Sequence, residues 1–365
     1  MALFDLNLEM LRDYRPVIDE PADFDGFWAS TLAQARLRPT PAMFDPVDNG
    51  LALVRTDHVT FAGFEGQPVH AWLHLPAGGT EHPLPCVVQF VGYGGGRGLA
   101  HENILWAVAG YAHLVVDTRG QGAGWSVGQT PDQVGSAPAQ AGFMTRGILE
   151  PEDYYYRRVF VDAVCAVDAV RSHPAVDKTR VVVSGESQGG GIALAVGALV
   201  DDLAGVMPDV PFLCHFRRAT EITDADPYAE ISRYLKVHRD KLSAVFETLS
   251  YFDGVSFAAR AKAPALFSIA LMDTTCPPST TFAAYNAYAA TKELREYFYN
   301  GHEGGQGFHR VAQLRWLAEL VGDPAMNRIK GAEPGRMIKS EQGDVKAYLR
   351  RPVETGMASE EEARG

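Results

Sequence analysis

The sequence predicts an α/β protein with a mostly parallel central sheet and helices on both of its faces. From residue 86 onward, short runs of Val, Ile, Leu, Phe and Tyr end in Gly or Asp and alternate with stretches of helical periodicity. That is the pattern of parallel strands joined by crossover helices. Two strand-like segments, 54–64 and 68–75, come first, parted by a turn signal at Glu65 and Gly66. The 365 residues, 46% hydrophobic and 10% aromatic, supply a sizeable core and exclude wholesale disorder and fibrous repeats.

Phe24, Phe27, Trp28, Thr31, Leu32 and Ala35 recur at the spacing of one helix face, which places a helix in an N-terminal helical extension over 1–50. Buried strands are expected at 86–91, 113–117, 180–184, 211–214, 265–272 and 294–299. Between them, Val159, Ala163, Ala166, Val167 and Val170 form a helical stripe, and helices are expected at 190–200, 282–290 and 313–320. Two leading antiparallel strands followed by repeated β/α units give an α/β-hydrolase layout over 1–324. The connection between 214 and 265 is longer than a loop needs. It reads as a cap insertion, 215–263, with a helical stretch over 229–249. Residues 325–365 are dense in charge and read as a solvated tail with no core of its own.

With 33 Lys and Arg against 45 Asp and Glu, the net charge is −12, and no basic cluster interrupts it. Nucleic acid and anionic membrane surfaces reward clustered positive charge, so neither is expected as a partner. A small soluble ligand is. The first twenty residues carry no leader-like apolar run, and no apolar stretch reaches membrane-spanning length. Cys86, Cys165, Cys214 and Cys276 are far apart, with neither a C-x-x-C pair nor zinc spacing. They read as reduced thiols of a cytoplasmic protein, and no metal is expected.

Gly185-Glu186-Ser187-Gln188-Gly189 fits G-x-S-x-G between the apolar strand around Val182 and an apolar helical run. In that context it is a nucleophile elbow, a turn so sharp that glycines on either side remove colliding Cβ atoms. A serine hydroxyl needs a base and a group to orient that base. The order in this layout is Ser, then Asp or Glu, then His. Asp273 follows the strand 265–272, and His302 follows 294–299. His215 and His238 precede Asp273 and break the order, while His309 falls in the start of the last helix; Asp224, Asp226 and Asp253 belong to the cap. Two N–H donors must meet the developing oxyanion. The amide of Gln188 is one candidate, and Tyr93 in Gly92-Tyr93-Gly94-Gly95-Gly96 is the other. Phe212, Pro227 and Thr275 are candidates to line an acyl pocket. Asp117-Thr118-Arg119-Gly120-Gln121-Gly122 reads as a turn with Arg119 paired internally, and Tyr154-Tyr155-Tyr156-Arg157-Arg158 as packing plus surface charge at a helix start.

Over residues 4–320 the chain resembles carbohydrate esterase family seven, the acetyl xylan esterases and cephalosporin C deacetylases. The segments that carry the resemblance are Phe24-Asp25-Gly26-Phe27-Trp28, Gly92-Tyr93-Gly94-Gly95-Gly96-Arg97-Gly98, Arg119-Gly120-Gln121, Gly142-Phe143-Met144-Thr145-Arg146-Gly147, Ser187-Gln188-Gly189-Gly190, Leu271-Met272-Asp273 and His302-Glu303-Gly304-Gly305. The resemblance implies Ser187 as nucleophile, His302 as base, Asp273 as its partner and the amides of Tyr93 and Gln188 as oxyanion hole. It also implies small-acyl specificity on acetylated xylo-oligosaccharides and related acetyl esters such as cephalosporin C, with no cofactor. The expected assembly is a homo-oligomer, a hexamer built from dimers, and some members also catalyse perhydrolysis. Glu186 stands where many relatives carry glycine, and the charged tail exceeds the family pattern. A peptidase or dienelactone-type hydrolase, and a silent carbohydrate-binding homologue, are the alternatives on this fold.

Overall fold

The structure, a computed structural model, describes residues 4–37, 40–78, 82–132 and 137–322. Its strands are β1 (Met43–Val47), β2 (Val54–Ala62), β3 (Pro68–Pro76), β4 (Leu84–Phe90), β5 (Ala112–Val116), β6 (Val176–Glu186), β7 (Gly205–Asp209), β8 (Ala265–Ala270) and β9 (Lys292–Tyr297). They form one sheet in the order β1-β2-β3-β5-β4-β6-β7-β8-β9. The first three and the β3–β5 pair are antiparallel, and every later pair is parallel. The chain leaves β4 toward one edge to make β5, then returns past it to make β6. That reversal opens a crevice at the carboxyl ends of β4 and β6, where open α/β sheets hold their ligands.

The helices are α1 (Leu8–Asp13), α2 (Phe24–Ala35), α3 (Leu105–Val108), α4 (Tyr155–Arg171), α5 (Gln188–Leu199), α6 (Phe216–Ile222), α7 (Tyr228–Val237), α8 (Leu242–Ser250), α9 (Gly254–Ala258), α10 (Pro278–Ala287) and α11 (Gln306–Val321). Alternate strand residues feed two cores, as the period of two in a pleated strand requires. Val88, Val181, Val183 and Val206 pack with α2, α4 and α5, whereas Val87, Val182, Met207 and Leu266 pack with Trp106 and with Trp316 and Leu317 of α11.

Several expectations shift. Strand β1 lies inside the N-terminal segment read as helical; it is an edge strand with Pro46 and little burial, so it shows no apolar alternation. The strand expected at 211–214 is instead β7, whose Gly205 and Pro208 disguise it. Residues 211–214 form a turn, with Val210 at φ 36° and Leu213 at φ 65°, values no strand accommodates. The helix expected over 229–249 is two, α7 and α8, broken where His238 leaves helical geometry ahead of a 3-10 turn at Arg239–Lys241. The insertion as a whole carries α6 to α9 and is closed at its base by Asp253, whose carboxylate accepts from the amides of His215, Phe216 and Val255. Burial pushes that carboxyl up to about 6 despite the three donors. The charged segment 325–365 lies outside the described residues.

Arg119 is paired internally, as expected. Its guanidinium donates to both oxygens of Asp162 at 2.5 and 2.7 Å, fully enclosed, and Asp162 also accepts from the amide of Phe64 at 2.8 Å. Asp162→Ala would leave the buried cation with only the more distant Asp132, at 3.5 Å, and we expect a loss of up to about 3–5 kcal/mol, read as a lowered urea midpoint with unchanged slope.

Candidate active site

Strand β6 hands over to α5 through Ser187, held at φ 58° and ψ −118°. A non-glycine residue there stores about 1–3 kcal/mol and persists only where its surroundings fix it. Three backbone bonds do so: the Ser187 amide donates to the Asp209 carbonyl at 2.9 Å, and the Ser187 carbonyl accepts from Gly191 at 3.1 Å and Phe212 at 2.9 Å. The flanking glycines are sterically required. A Cβ on Gly185 would stand 2.2 Å from the Gly189 carbonyl carbon, and one on Gly189 would stand 2.2 Å from the Phe90 oxygen.

His302 stands in the loop between β9 and α11, with Nε2 2.9 Å from the Ser187 hydroxyl oxygen and Nδ1 2.8 Å from Asp273 Oδ2. Asp273 lies three residues beyond β8 and is fully buried. Its other oxygen accepts from the amides of Thr275 and Cys276 at 2.8 and 2.9 Å, which turns Oδ2 toward the imidazole. Burial works against a charge on His302, but Asp273, aided by Glu186 and Glu303, outweighs it and raises the imidazole above its ordinary value. With Nδ1–H given to Asp273, Nε2 is left to accept the serine proton. Asp273, Cys276 and His302 also form, among the described residues, a group of metal-type donors within 4.8 Å of one another. Burial pushes the Cys276 thiol well up, however, and a protonated thiol is a poor ligand.

Of Tyr93's polar groups, the carbonyl accepts from the Trp125 indole at 2.8 Å and the hydroxyl is buried among three partners, while the backbone N–H donates to none of the described residues. The Gln188 amide opens α5, where a helix leaves its first N–H groups free of intrahelical partners. The side chain of Gln188 is turned inward. Its oxygen accepts from Tyr156 at 2.9 Å and Gln121 at 2.8 Å, and its NH2 donates to the Val91 carbonyl at 3.1 Å. Gln121 in turn accepts the Gly94 amide at 2.7 Å. One glutamine therefore ties the Tyr93 loop to the elbow. From the sequence alone, Gln121 reads as part of an ordinary turn and the tyrosine run at 154–158 as packing plus surface charge.

The three acyl-pocket candidates are placed unequally. Phe212, in the turn after β7, packs its ring on Tyr93 and Tyr228, and the Thr275 amide holds Asp273. Pro227 stands at the N-cap position of α7, after a cis bond with Asp226. Among the rival histidines, His215 meets Tyr14 and burial lowers it to about 4, and His238 stacks on Tyr234. His309 serves the elbow indirectly. It bonds Asp209 Oδ1 at 2.6 Å while Gln313 and Arg310 hold Oδ2, so the residue whose carbonyl fixes Ser187 is itself clamped by α11. Glu186 is half-exposed, 3.6 Å from Arg310, and shares a small cavity with Glu303. A separate cavity of about 660 Å³ lies between residues 17–23 and α8 and has none of Ser187, His302 or Asp273 in its wall.

The sequence model of the acetyl xylan esterase (AXE1) family matches residues 1–320. An acetyl esterase, Axe7A, of Xylanibacter ruminicola is 25% identical over 84% of this chain and 69% of its own. Among solved structures, an acetyl xylan esterase from Paenibacillus sp. R4 superposes with a TM-score of 0.80 at 40% identity, covering 86% of this chain and all of the other. Acetyl xylan esterase 1 from Thermoanaerobacterium sp. JW/SL YS485 gives 0.79 at 31% identity, over 87% of this chain and 99% of its own.

A methyl group at position 189 must displace the β4 carboxyl end or the elbow itself. Gly189→Ala is expected to lower ester turnover at least about 100-fold, the scale of an Å-level misplacement, and to lower the melting temperature, both measured on the purified protein.

Proposed function

The chain belongs to the acetyl xylan esterase family and is an acetyl esterase, and from that premise we propose that Ser187, His302 and Asp273 are its catalytic triad and acetylated xylo-oligosaccharides its substrates. Related acetyl esters such as cephalosporin C fall within the same proposal, as does a cytoplasmic, homo-oligomeric enzyme. The observation that carries the triad is the unbroken hydrogen-bond line from Ser187 through His302 to buried Asp273, at 2.9 and 2.8 Å.

In the first half-reaction Ser187 Oγ attacks the acetyl carbonyl carbon as its proton passes to His302 Nε2, and Asp273 stabilises the imidazolium that forms. The carbonyl oxygen becomes an oxyanion facing the N–H groups of Tyr93 and Gln188. Collapse breaks the bond to the sugar oxygen, which takes the proton from His302 Nε2 and departs as a hydroxyl, leaving an acetyl ester on Ser187. Water then repeats the sequence with His302 as base, releasing acetate and restoring the serine. Phe212 and Thr275, placed beside Tyr93 and Asp273, support a pocket sized for a short acyl group.

Initial rates on p-nitrophenyl acetate, butyrate and octanoate, with Ser187→Ala as the blank, test this reading. The rate should fall steeply with acyl length, and Ser187→Ala should lose on the order of 10⁴–10⁶-fold in kcat; a flat profile would overturn the acetyl pocket, and an active Ser187→Ala protein the triad. The base works only when neutral. Because the His302 value is raised, kcat/KM should climb through an acid limb whose midpoint lies above the ordinary imidazole value. Glu186→Gln removes one of the carboxylates that raise it, so that midpoint should move to lower pH.

A further inference from the structure

Helix α7 of the cap insertion sends Glu230 inward, where its carboxylate is buried with no Lys, Arg or His paired to it among the described residues. Burying a carboxylate without a cation is expensive unless donors surround it. Three do. Oε1 accepts from the Tyr93 hydroxyl at 2.7 Å and the Gly142 amide at 3.0 Å, and Oε2 accepts from the Met144 amide at 3.0 Å. A neutral glutamine offers one acceptor oxygen and would turn an NH2 toward one of those N–H groups. The site is therefore built for the charge.

The Tyr93 hydroxyl that donates to Glu230 also accepts from the amides of Phe143 at 2.8 Å and Gly142 at 3.2 Å, and its ring stands edge-on to Phe143 and Phe212. With its carbonyl held by Trp125, this residue has one polar group left unengaged among the described residues, its backbone N–H. The neighbouring Tyr228, on the same turn of α7, packs on Phe212 at 4.3 Å, and the Phe212 amide holds the Ser187 carbonyl. One turn of the cap thus reaches both the loop that carries Tyr93 and the turn that supports the nucleophile.

We propose that Glu230 is a positioning residue for ester hydrolysis, which from the cap fixes the direction of the Tyr93 N–H toward the oxyanion. This rests on the reading of Tyr93 as an oxyanion donor. The insertion is then part of the catalytic framework rather than a lid laid over it, and the selectivity it confers is for the tetrahedral state over the flat ester.

The test is Glu230→Gln in the full-length protein, assayed on p-nitrophenyl acetate and with a trifluoromethyl ketone that adds Ser187 to its carbonyl and so carries an oxyanion. We expect kcat to fall about 10–100-fold, up to the loss seen when a whole oxyanion donor is removed, with KM within about twofold. The inhibition constant of the ketone should rise by the same factor as kcat/KM falls. Tyr93→Phe, which removes the donor to Glu230 and keeps the ring, should give the same split, and the double variant should lose no more than the worse single one. A general packing defect would lower the melting temperature without matching the two losses. Glu230→Gln with kcat within twofold of wild type, or a lost kcat with an unchanged ketone constant, overturns the proposal; if Glu230→Gln does not fold, Tyr93→Phe alone decides by the same two readouts. Ser187→Ala run in parallel separates the two layers: Ser187-independent turnover sinks the triad reading, whereas intact Ser187-dependent turnover untouched by Glu230→Gln sinks only the role of Glu230.

Discussion

A serine at φ 58° relaxes unless its neighbours hold it, and the surrounding structure is arranged around holding this one. Its amide is anchored on the carbonyl of Asp209 at the end of the adjacent strand, and its carbonyl receives amides from α5 and from the turn after β7. Asp209 is itself unusual, a carboxylate buried at the carboxyl end of an interior strand, β7. Burial alone would push it up, but His309 and Arg310 outweigh that and hold it below the usual carboxylate range. The last helix therefore supports Ser187 through two bonds in series. The start of α5 and the hydrogen bond to His302 both presuppose that this one backbone conformation is maintained.

Around the elbow lies a buried polar lattice that behaves as a single unit. Arg119 is neutralised by Asp162, its carbonyl accepts the Tyr155 hydroxyl, and Tyr155 and Tyr156 lead on to Gln121 and Gln188. Fully satisfied networks of this kind rigidify a core, whereas half-satisfied ones destabilise it. Here the lattice joins the Tyr93 loop, the elbow and α4, three segments brought together only by the tertiary fold. That gives the Tyr93 loop and the start of α5 a common frame of reference, to which Glu230 adds a tie from the cap.

Much of this was legible in the chain. The apolar runs that became β4, β5, β6 and β8 announced themselves through Val and Leu, and glycine spacing around Ser187 gave the elbow. The chain order of Asp273 and His302 places them after strands, although β8 ends at Ala270, two residues short of its expected end, which leaves Asp273 three residues beyond it. Where elements were missed, the physical signal was weak: Pro46 on an edge strand, Gly205 and Pro208 inside β7, and a break near His238 without proline or glycine. Gln121 and Glu230 were illegible for a different reason. Their meaning lies in hydrogen bonds to Gly94, Gln188 and Tyr93, residues far away in sequence, and neither periodicity nor local spacing encodes a contact of that kind.

The two carboxylates whose charge reaches His302, Glu186 and Glu303, carry a further meaning once turnover is considered as a cycle. A neutral acetyl ester carries no charge and acetate is an anion, so a negative field is indifferent to the first and repels the second. The chain's net charge of −12 extends that field outward. Such a field disfavours rebinding of an anionic product where it would compete with the next ester, which weakens product inhibition and leaves the equilibrium of hydrolysis unchanged.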